Sequence, residues 1–454
     1  MRVLRPLAEL LFYISFTASF TISIPIFGIV SETLFTIGKE IIENAIIIQD
    51  LIIIAWGIGF LILRFDQQEN SPTIPAYLEK MAFAIVLLGI VVMIIGALNN
   101  HENIFTQFRF FLYAPILVYL PVIINSRRIL HRAIWIVCIL NLVGIALYLT
   151  LQLNDLGAEL LILRGSYDGK YIGMFVFLTI LPILFSLRNQ LINYKTILAI
   201  LVIGIMGLTL VIDRTSSVVG PTVFGVVLIF ILSTNHKTIW SFISSTIIRG
   251  VLLASILLVF SFGFSTITNS SYLQDASTEV IWRTTNAMGF PIALGNNENW
   301  ARRDSSWLYR QRAIDEGLRL ISKSPLIGKG NGYETAFETP DKVRGRSNRG
   351  YQKATLHNFH LTLMVIAGVP IYTFCMIFIL IPLWKCIKYS RLKSHELEWE
   401  IKGVTAASIA YLIAVAGTVF EPGHFHTFWL FPALCLSATM IVEKNINKRL
   451  INND

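Results

Sequence analysis

The stretch "EKMAFAIVLLGIVVMIIGAL", residues 79–98, is uncharged from Met81 to Leu98. An apolar run of this length can cross the hydrocarbon core of a bilayer as one helix. The chain as a whole has the same character: of its 454 residues, 54% are hydrophobic and 14% are charged, and the mean hydropathy is +0.65. Because soluble proteins carry about 25% charged residues, this composition indicates a membrane protein with many spans.

Apolar windows close to the length of a membrane span recur along the chain, and we expect each of them to be a transmembrane helix. These windows are about 8–30, 45–64, 79–98, 107–125, 133–151, 171–187, 196–212, 217–234, 248–267, 357–383, 403–420 and 425–442. The sequence therefore predicts an all-α polytopic membrane protein with about twelve transmembrane helices.

Positive charge in the short loops alternates from one side of the predicted membrane to the other. One set of loops contains Arg64 and Lys80, then "RRILHR" (127–132), and later the basic segment 385–402, whereas the intervening short loops are nearly free of Lys and Arg. The positive-inside rule then places both termini in the cytoplasm, and an even number of spans agrees with this. The same rule accounts for the net charge of +9 without a nucleic-acid partner.

The predicted organisation has four parts: helices 1–9 in residues 1–267, a large periplasmic loop in 268–356, helices 10–12 in 357–442, and a cytoplasmic tail in 443–454. The N-terminus has a basic start but no small-residue cleavage site, so we interpret it as a retained first helix. The four cysteines all lie in or beside apolar stretches and show neither a disulfide framework nor zinc-ligand spacing.

The large loop contains a segment with local structure, "SSWLYRQRAIDEGLRLISKSPLIGKGNG" (305–332). It predicts a helix capped near Ser305 or Ser306, ended by Ser324-Pro325, and followed by a glycine turn. The apolar residues expected on one stripe of this helix are Trp307, Ile314, Leu318 and Ile321. The glycine turn is not a nucleotide phosphate loop, because it lacks the Gly-Lys-Ser/Thr ending and follows a helix.

Polar residues that could act on a substrate gather near the outer ends of the predicted spans. They are Arg164, Tyr167, Arg214, Arg302, Arg303, Arg310, Arg312, His357, Asn358, Glu421, His424 and His426. Arg214 lies at a two-helix tip on the face that the charge rule disfavours, which favours function over simple anchoring. Taken singly, Arg310 fits the solvated face of an amphipathic helix, His357 fits a polar cap, and Asn358 fits a helix N-cap.

As a set, these residues offer several guanidinium groups and one imidazole at the membrane surface, without a cluster of metal ligands. Arginine binds phosphate through two parallel hydrogen bonds and needs no metal for it. Histidine can accept a proton from a hydroxyl nucleophile near neutral pH. The combination favours displacement of a pyrophosphate leaving group from a lipid-anchored donor, which must carry its own activation energy because ATP is absent outside the cytoplasm.

The order of four segments resembles the O-antigen ligase and O-antigen polymerase superfamily of bacterial inner-membrane glycosyltransferases. The segments are "LRGSYDGKYIG" (163–173), "DRTSSVVG" (213–220), "RQRAIDEGLRLISKSPLIGKGNGYETAF" (310–337) and "LHNFHLTLMVIAGVP" (356–370). The family has about a dozen spans and one large periplasmic loop. Two features depart from its pattern: Gly368 is followed by Val369-Pro370-Ile371 instead of a second glycine, and Ile314 replaces a tryptophan on the loop helix.

The resemblance implies roles for individual residues. Two arginines hold the pyrophosphate of an undecaprenyl-linked glycan; the first matches Arg214 and the second matches Arg310, with Arg303 as the alternative. His357 then activates the acceptor hydroxyl and Asn358 orients it. The remaining residues expected at the substrate are Arg312, Arg164 and Tyr167.

The expected function is a metal-independent, cofactor-free, inverting glycosyltransferase whose site faces the periplasm. The first expectation is an O-antigen ligase of lipopolysaccharide biosynthesis, which transfers glycan from undecaprenyl pyrophosphate to lipid A-core. An O-antigen polymerase, with a lipid-linked repeat unit as acceptor, is the alternative. A secondary transporter is more remote, because it predicts broken spans in paired halves with charges at the midplane.

Overall fold

The structure, a computed structural model, describes residues 4–21, 48–65, 74–102, 104–153, 169–186, 200–204, 216–233, 301–334, 336–339, 352–392, 397–418, 420 and 422–451. Its helices are α1 (Leu4–Thr21), α2 (Ile48–Phe65), α3 (Ala76–Leu98), α4 (Ile104–Leu112), α5 (Ile116–Ile123), α6 (Arg127–Leu153), α7 (Gly169–Ser186), α8 (Ser216–Ser233), α9 (Ala301–Lys323), α10 (Phe359–Ala367), α11 (Val369–Ser390), α12 (Glu398–Ala414) and α13 (Pro422–Ile451). A 3₁₀ turn, Val415–Gly417, extends α12, and the strands are β1 (Ala336–Thr339) and β2 (Gln352–Thr355).

Within the described residues, four helices are long and apolar enough to cross a membrane, and the total is five if the bent pair α4–α5 is counted as one span. The four are α3, α11, α12 with its 3₁₀ extension, and His424–Ile446 of α13. Helices α1, α2, α6, α7 and α8 overlap further predicted windows. The helical, multi-pass character is therefore confirmed. The total of about twelve spans stays a prediction, since window 248–267 and most of 196–212 lie outside the described residues.

The core of the bundle is formed by α12 and α13, which are buried along most of their lengths. Small residues on α12 and on the neighbouring helix α8 let the helices of the bundle approach one another closely. A Cβ on Gly403 would lie 2.4 Å from the carbonyl oxygen of Thr179 in α7, and a Cβ on Gly225 of α8 would contact Leu178 and Ala410. Because lipid tails are as apolar as side chains, close backbone contact of this kind is a main source of attraction between membrane helices.

The predicted span 107–125 is broken in the middle. Helices α4 and α5 meet at an angle of 42°. The N–H groups of the break bond to its own backbone: that of Tyr113 donates to Arg109 O (3.0 Å), that of Ala114 to Phe111 O (3.2 Å) and that of Ile116 to Tyr113 O (3.0 Å). The carbonyl of Phe110 accepts a hydrogen bond from Trp429 Nε1 of α13 at 2.7 Å. Pro115, which has no N–H to lose, precedes α5.

A buried ion pair joins α2 to α4. The Arg109 side chain is 2% exposed, and its Nε lies 2.9 Å from Oδ2 of Asp50. The hydroxyl of Tyr113 donates to the same carboxylate at 2.5 Å. A charge buried in a membrane protein is costly unless it is paired, so Arg109 and Asp50 neutralise each other at the α4–α5 break, and the Tyr113 hydroxyl adds a hydrogen bond to the carboxylate.

The two strands form an antiparallel hairpin in the large loop, with Ala336 opposite Thr355 and Thr339 opposite Gln352. The sequence did not predict these strands. The pairing brings the residues just after the glycine turn alongside the residues just before His357. The hairpin therefore closes the loop back onto the start of α10.

Candidate active site

His357 lies between β2 and α10, and its backbone is in the left-handed region, with φ of 44°. Its side chain is half-buried. A left-handed backbone costs a non-glycine residue on the order of 1 kcal/mol, and such strain persists where the surrounding structure fixes the residue. Strained residues concentrate at functional sites, so this observation supports the choice of His357 from the sequence.

Asn358 is the N-cap of α10. Its side-chain Oδ1 accepts a hydrogen bond from Leu361 N at 3.0 Å, and its carbonyl accepts one from the Thr362 hydroxyl at 2.8 Å. This is the helix-capping interpretation that the sequence offered for Asn358, and it is confirmed. Through the cap, Asn358 fixes the first turn of α10 relative to the adjoining His357.

Helix α9 packs on α10 through small residues. Ala313 and Leu320 of α9 form a buried apolar cluster with Leu356 and Val365. Between them, a Cβ on Gly317 would lie 3.3 Å from Leu361. Since Leu356 directly precedes His357, the loop helix contacts the chain within one residue of the candidate base.

The buried stripe of α9 differs from the predicted one. Ile314 and Leu318 are 41% and 53% exposed, and Ile321 only partly packs against the buried cluster. The buried side lies one position away, because alanine and glycine let α9 approach α10 more closely than larger side chains would. The helix also begins at Ala301, before the predicted caps at Ser305 and Ser306, and ends at Lys323 as predicted.

The arginines on α9 fall on different sides of the helix. Arg310 and Arg303 precede Gly317 by seven and fourteen residues, close to whole numbers of turns, so their backbone positions lie on nearly the same side as Gly317. Arg312 is exposed on another side. Arg214, Arg164 and Tyr167 lie outside the described residues.

The last arginine of α9 forms an ion pair with a carboxylate of the same helix. Arg319 donates two hydrogen bonds to the carboxylate of Glu316, from Nε to Oε2 at 2.7 Å and from Nη2 to Oε1 at 2.5 Å. The hydrogen bond from Arg319 holds the pKa of Glu316 below its usual value. This guanidinium is thus a weaker candidate for binding a phosphate than the positions nearer the N-terminus of α9.

The glycine loop, which we define as residues 324–333, fills the break between α10 and α11. Its backbone caps the end of α10: Lys329 N donates to Val365 O at 2.8 Å, and Gly330 N donates to Ile366 O at 2.9 Å. In return, Val369 N donates to Pro325 O at 2.8 Å. These N–H groups bind helix carbonyls and not an anion, in agreement with the rejection of a nucleotide phosphate loop.

The glycine loop also docks on the end of α3. Asn331 N donates to Val92 O at 3.1 Å, and the side chain of Gln107 accepts from Gly332 N at 2.7 Å. A Cβ on Gly96 would lie 2.1 Å from Asn331 O. The loop therefore connects three apolar helices through backbone contacts. The sequence predicted the turn but not the contacts that Gln107 and Gly96 make with it. A single polar or small residue in an apolar helix does not show which distant segment it will contact.

Aromatic rings support α10 from beneath the candidate site. Phe359 contacts Phe110, Phe420 and Phe428, with ring centroids 5.7, 4.8 and 4.9 Å apart. His360 Nε2 lies 2.9 Å from Leu412 O, which links α10 to α12. A rigid base of this kind keeps the residues above it in a fixed geometry.

His424 and His426 do not form an outward-facing loop. They lie in the first turns of α13 and are 3% and 4% exposed. The sequence placed them between the last two spans, and the helix begins earlier than expected because Pro422 suits a first helical turn. Across the part of the chain that the structure describes, no three His, Cys, Asp or Glu side chains gather as metal ligands.

Comparison with known protein families gives one match. Residues 199–376 match the family model described as O-antigen ligase. The matched segment is less than half of the chain, and it includes Arg214, α9, the glycine loop, His357 and the α10–α11 break. The resemblance stated from the sequence is confirmed over this segment. No curated protein matches the chain.

Proposed function

We propose that this chain, which resembles the O-antigen ligase and polymerase superfamily over residues 199–376, is a metal-independent, inverting glycosyltransferase of the bacterial inner membrane. Its donor is a glycan linked to undecaprenyl pyrophosphate, and its acceptor is a sugar hydroxyl of lipid A-core in the periplasm. The observation that carries the proposal is His357. It is an imidazole on a strained backbone, fixed between the arginine-bearing helix α9 and the capped end of an apolar helix.

The proposed reaction is a single displacement. His357 takes the proton of the acceptor hydroxyl while that oxygen attacks the anomeric carbon of the donor glycan. The new carbon–oxygen bond forms on the face opposite to the pyrophosphate, whose own bond to the carbon breaks, so the configuration inverts. The leaving undecaprenyl pyrophosphate keeps the electron pair. Arg214 and Arg310 stabilise the negative charge that develops on it.

Packing supports Arg310 as the second phosphate ligand. Its backbone position lies on nearly the same side of α9 as Gly317, which approaches Leu361 of α10. The backbone position of Arg303, seven residues before Arg310, lies on the same side of α9. Arg303 therefore remains the alternative for the second phosphate ligand. Arg312 is exposed on another side, so we assign it at most a contact with the outer part of the glycan, together with Arg164 and Tyr167.

A polymerase is the second candidate, with a lipid-linked repeat unit as the acceptor. The observation that favours it is the sequence after Gly368. Val369 and Pro370 begin α11 at the point where the ligase pattern has a spaced pair of glycines. Since this segment lines the break beneath the site, a difference there can alter which acceptor fits.

The lipopolysaccharide of a deletion strain tests the proposal. Loss of a ligase leaves core without O-chain, while long undecaprenyl-linked polymer accumulates. Loss of a polymerase leaves core that carries a single repeat unit. Unchanged lipopolysaccharide in the deletion strain contradicts both forms of the proposal.

A further inference from the structure

The glycine loop exposes two large aliphatic side chains next to a membrane span. Leu326 and Ile327 are 71% and 59% exposed, although the backbone around them is bonded to α10 and α11. The loop also reaches below the end of α3. Asn331 bonds to Val92, six residues before Leu98, which corresponds to about 9 Å along the helix axis. Exposed aliphatic residues on a loop that packs against membrane-spanning helices fit lipid better than water.

An apolar groove of about 490 Å³ lies beside these residues. The glycine loop forms one wall and the first turns of α11 form the other, and the lining residues are Pro325, Leu326, Val369, Pro370, Thr373, Phe374 and Ile377. Further along α11, Leu380 and Trp384 are exposed on a helix that is apolar enough to span the membrane. The groove is thus continuous with a lipid-facing surface, so a hydrocarbon chain can enter it from the bilayer.

Two lysines flank the exposed aliphatic pair. Lys323 ends α9 and is exposed, and Lys329 follows Ile327 by two residues and is half-buried. Lysine near a membrane surface is attracted to anionic lipid, and its long side chain can keep the ammonium in water while the stem covers apolar surface. An apolar groove whose loop wall lies between two lysines in the sequence suits an amphiphile with an anionic head.

We propose that the groove binds an anionic phospholipid of the adjoining leaflet. One acyl chain lies between the glycine loop and α11, and the phosphate group contacts Lys323 and Lys329. The bound lipid holds the C-terminal end of α9 against the membrane. It thereby keeps the arginine positions of α9 over the start of α10. This site is separate from the glycan donor, because the length of α10 lies between the groove and His357.

Native mass spectrometry of the full-length purified protein tests the site, with phosphatidylglycerol and phosphatidylcholine of identical acyl chains as probes. With two lysines near the phosphate, we expect phosphatidylglycerol to be retained about thirtyfold better. The double variant K323Q/K329Q should lose this preference. T373W, which fills the groove, should retain phosphatidylglycerol about tenfold less well. The matched control L380W places the same side chain on the lipid-facing surface outside the groove and should behave as wild type.

L326Q provides a second groove variant whose exposed position does not endanger folding, and we expect weaker retention there too. Equal retention of the two lipids, or wild-type retention by both T373W and L326Q, overturns the proposal. Displacement of phosphatidylglycerol by an equal concentration of undecaprenyl phosphate assigns the groove to the donor tail instead. A delipidated dimer that L326Q converts to monomer assigns it to a second copy of the chain. A failure of glycan transfer alone leaves the lipid result unaffected, so the two proposals are tested separately.

Discussion

Two apolar segments of this protein are broken within the region of a predicted span, and they are repaired in different ways. At the α4–α5 break, the freed N–H groups bond to residues of the same turn, a proline removes one donor, and the freed carbonyl of Phe110 accepts from Trp429 of α13. At the α10–α11 break, Val365, Ile366 and Val369 bond to the glycine loop, which is more than thirty residues distant in sequence. The first break thus bonds its N–H groups locally and has side-chain contacts to α2 and α13, whereas the backbone groups of the second break are bonded by the large loop.

The difference indicates where the fold and the site depend on each other. A broken membrane helix must satisfy its backbone groups, since lipid offers no hydrogen bonds. By using the large loop for this, the α10–α11 break fixes α9, the hairpin and His357 relative to the membrane helices. We therefore expect changes near the second break to affect transfer, and changes near the first to affect stability slightly.

The largest expected effect is at His357, on the α10 side of the second break. General-base assistance is typically worth ~10²–10⁴-fold in rate, so His357→Ala should lose transfer by about that factor. His357→Gln can donate a hydrogen bond but cannot take the proton, and it should be nearly as slow. Turnover with purified donor and acceptor measures this, in EDTA because the proposed site uses no metal.

Donor binding serves as the control for His357. Both variants should still bind a lipid pyrophosphate, because the proposal assigns the phosphate contacts to the arginines. Substantial turnover by His357→Gln means that the residue positions the acceptor without deprotonating it. Loss of donor binding in both variants places His357 in the donor site.

The arginines of α9 should show the next largest effect. Removing one donor that stabilises a developing charge costs about 10²–10³-fold in turnover, so we expect this loss for Arg310→Ala. Arg312→Ala is the matched control on another side of the same helix and should stay within a few-fold of wild type. Turnover at equal expression is the measurement. A dead Arg303→Ala beside an active Arg310→Ala reverses the assignment.

The sequence predicted the parts of this comparison that depend on local pattern. Hydropathy located α3, α11, α12 and α13, the glycines located the turn, and Asn358 was recognised as a cap. The docking of the glycine loop on α10 could not be predicted, since the sequence of a turn does not show which distant carbonyl groups its backbone N–H groups will bond to. The buried side of α9 was misjudged for a related reason. Ala313 and Gly317 are weakly hydrophobic, and only the facing helix makes them the contact surface.

Stability should respond strongly at the second break. Gly368 has φ of 81° and ψ of 160°, a conformation essentially limited to glycine, and a Cβ there would lie 2.5 Å from Leu326 O. Gly368→Ala should destabilise the protein by about 2 kcal/mol or more and reduce transfer as the loop undocks. Unfolding by SDS titration in mixed micelles measures this. Gly220→Ala in α8 is the control, because no described atom lies within 4 Å of the added Cβ. Equal stability of the two variants contradicts the docking.

The smallest effect should come from the first break. Pro115→Ala does not change the carbonyl of residue 115, which accepts hydrogen bonds from Val118 N and Tyr119 N. The neighbouring hydrogen bonds do not involve the proline ring. The main loss is the restriction that proline places on the unfolded chain, worth about 0.4–1 kcal/mol. We therefore expect a slightly lower SDS midpoint and unchanged transfer, measured beside Gly368→Ala in the same micelles. If Pro115→Ala destabilises as much as Gly368→Ala, the stability of the α4–α5 break depends mainly on its distant contacts, which are the Asp50–Arg109 ion pair and the hydrogen bond from Trp429 to Phe110 O. If it abolishes transfer while the midpoint is kept, the first break takes part in the site, and the distinction between the two breaks fails.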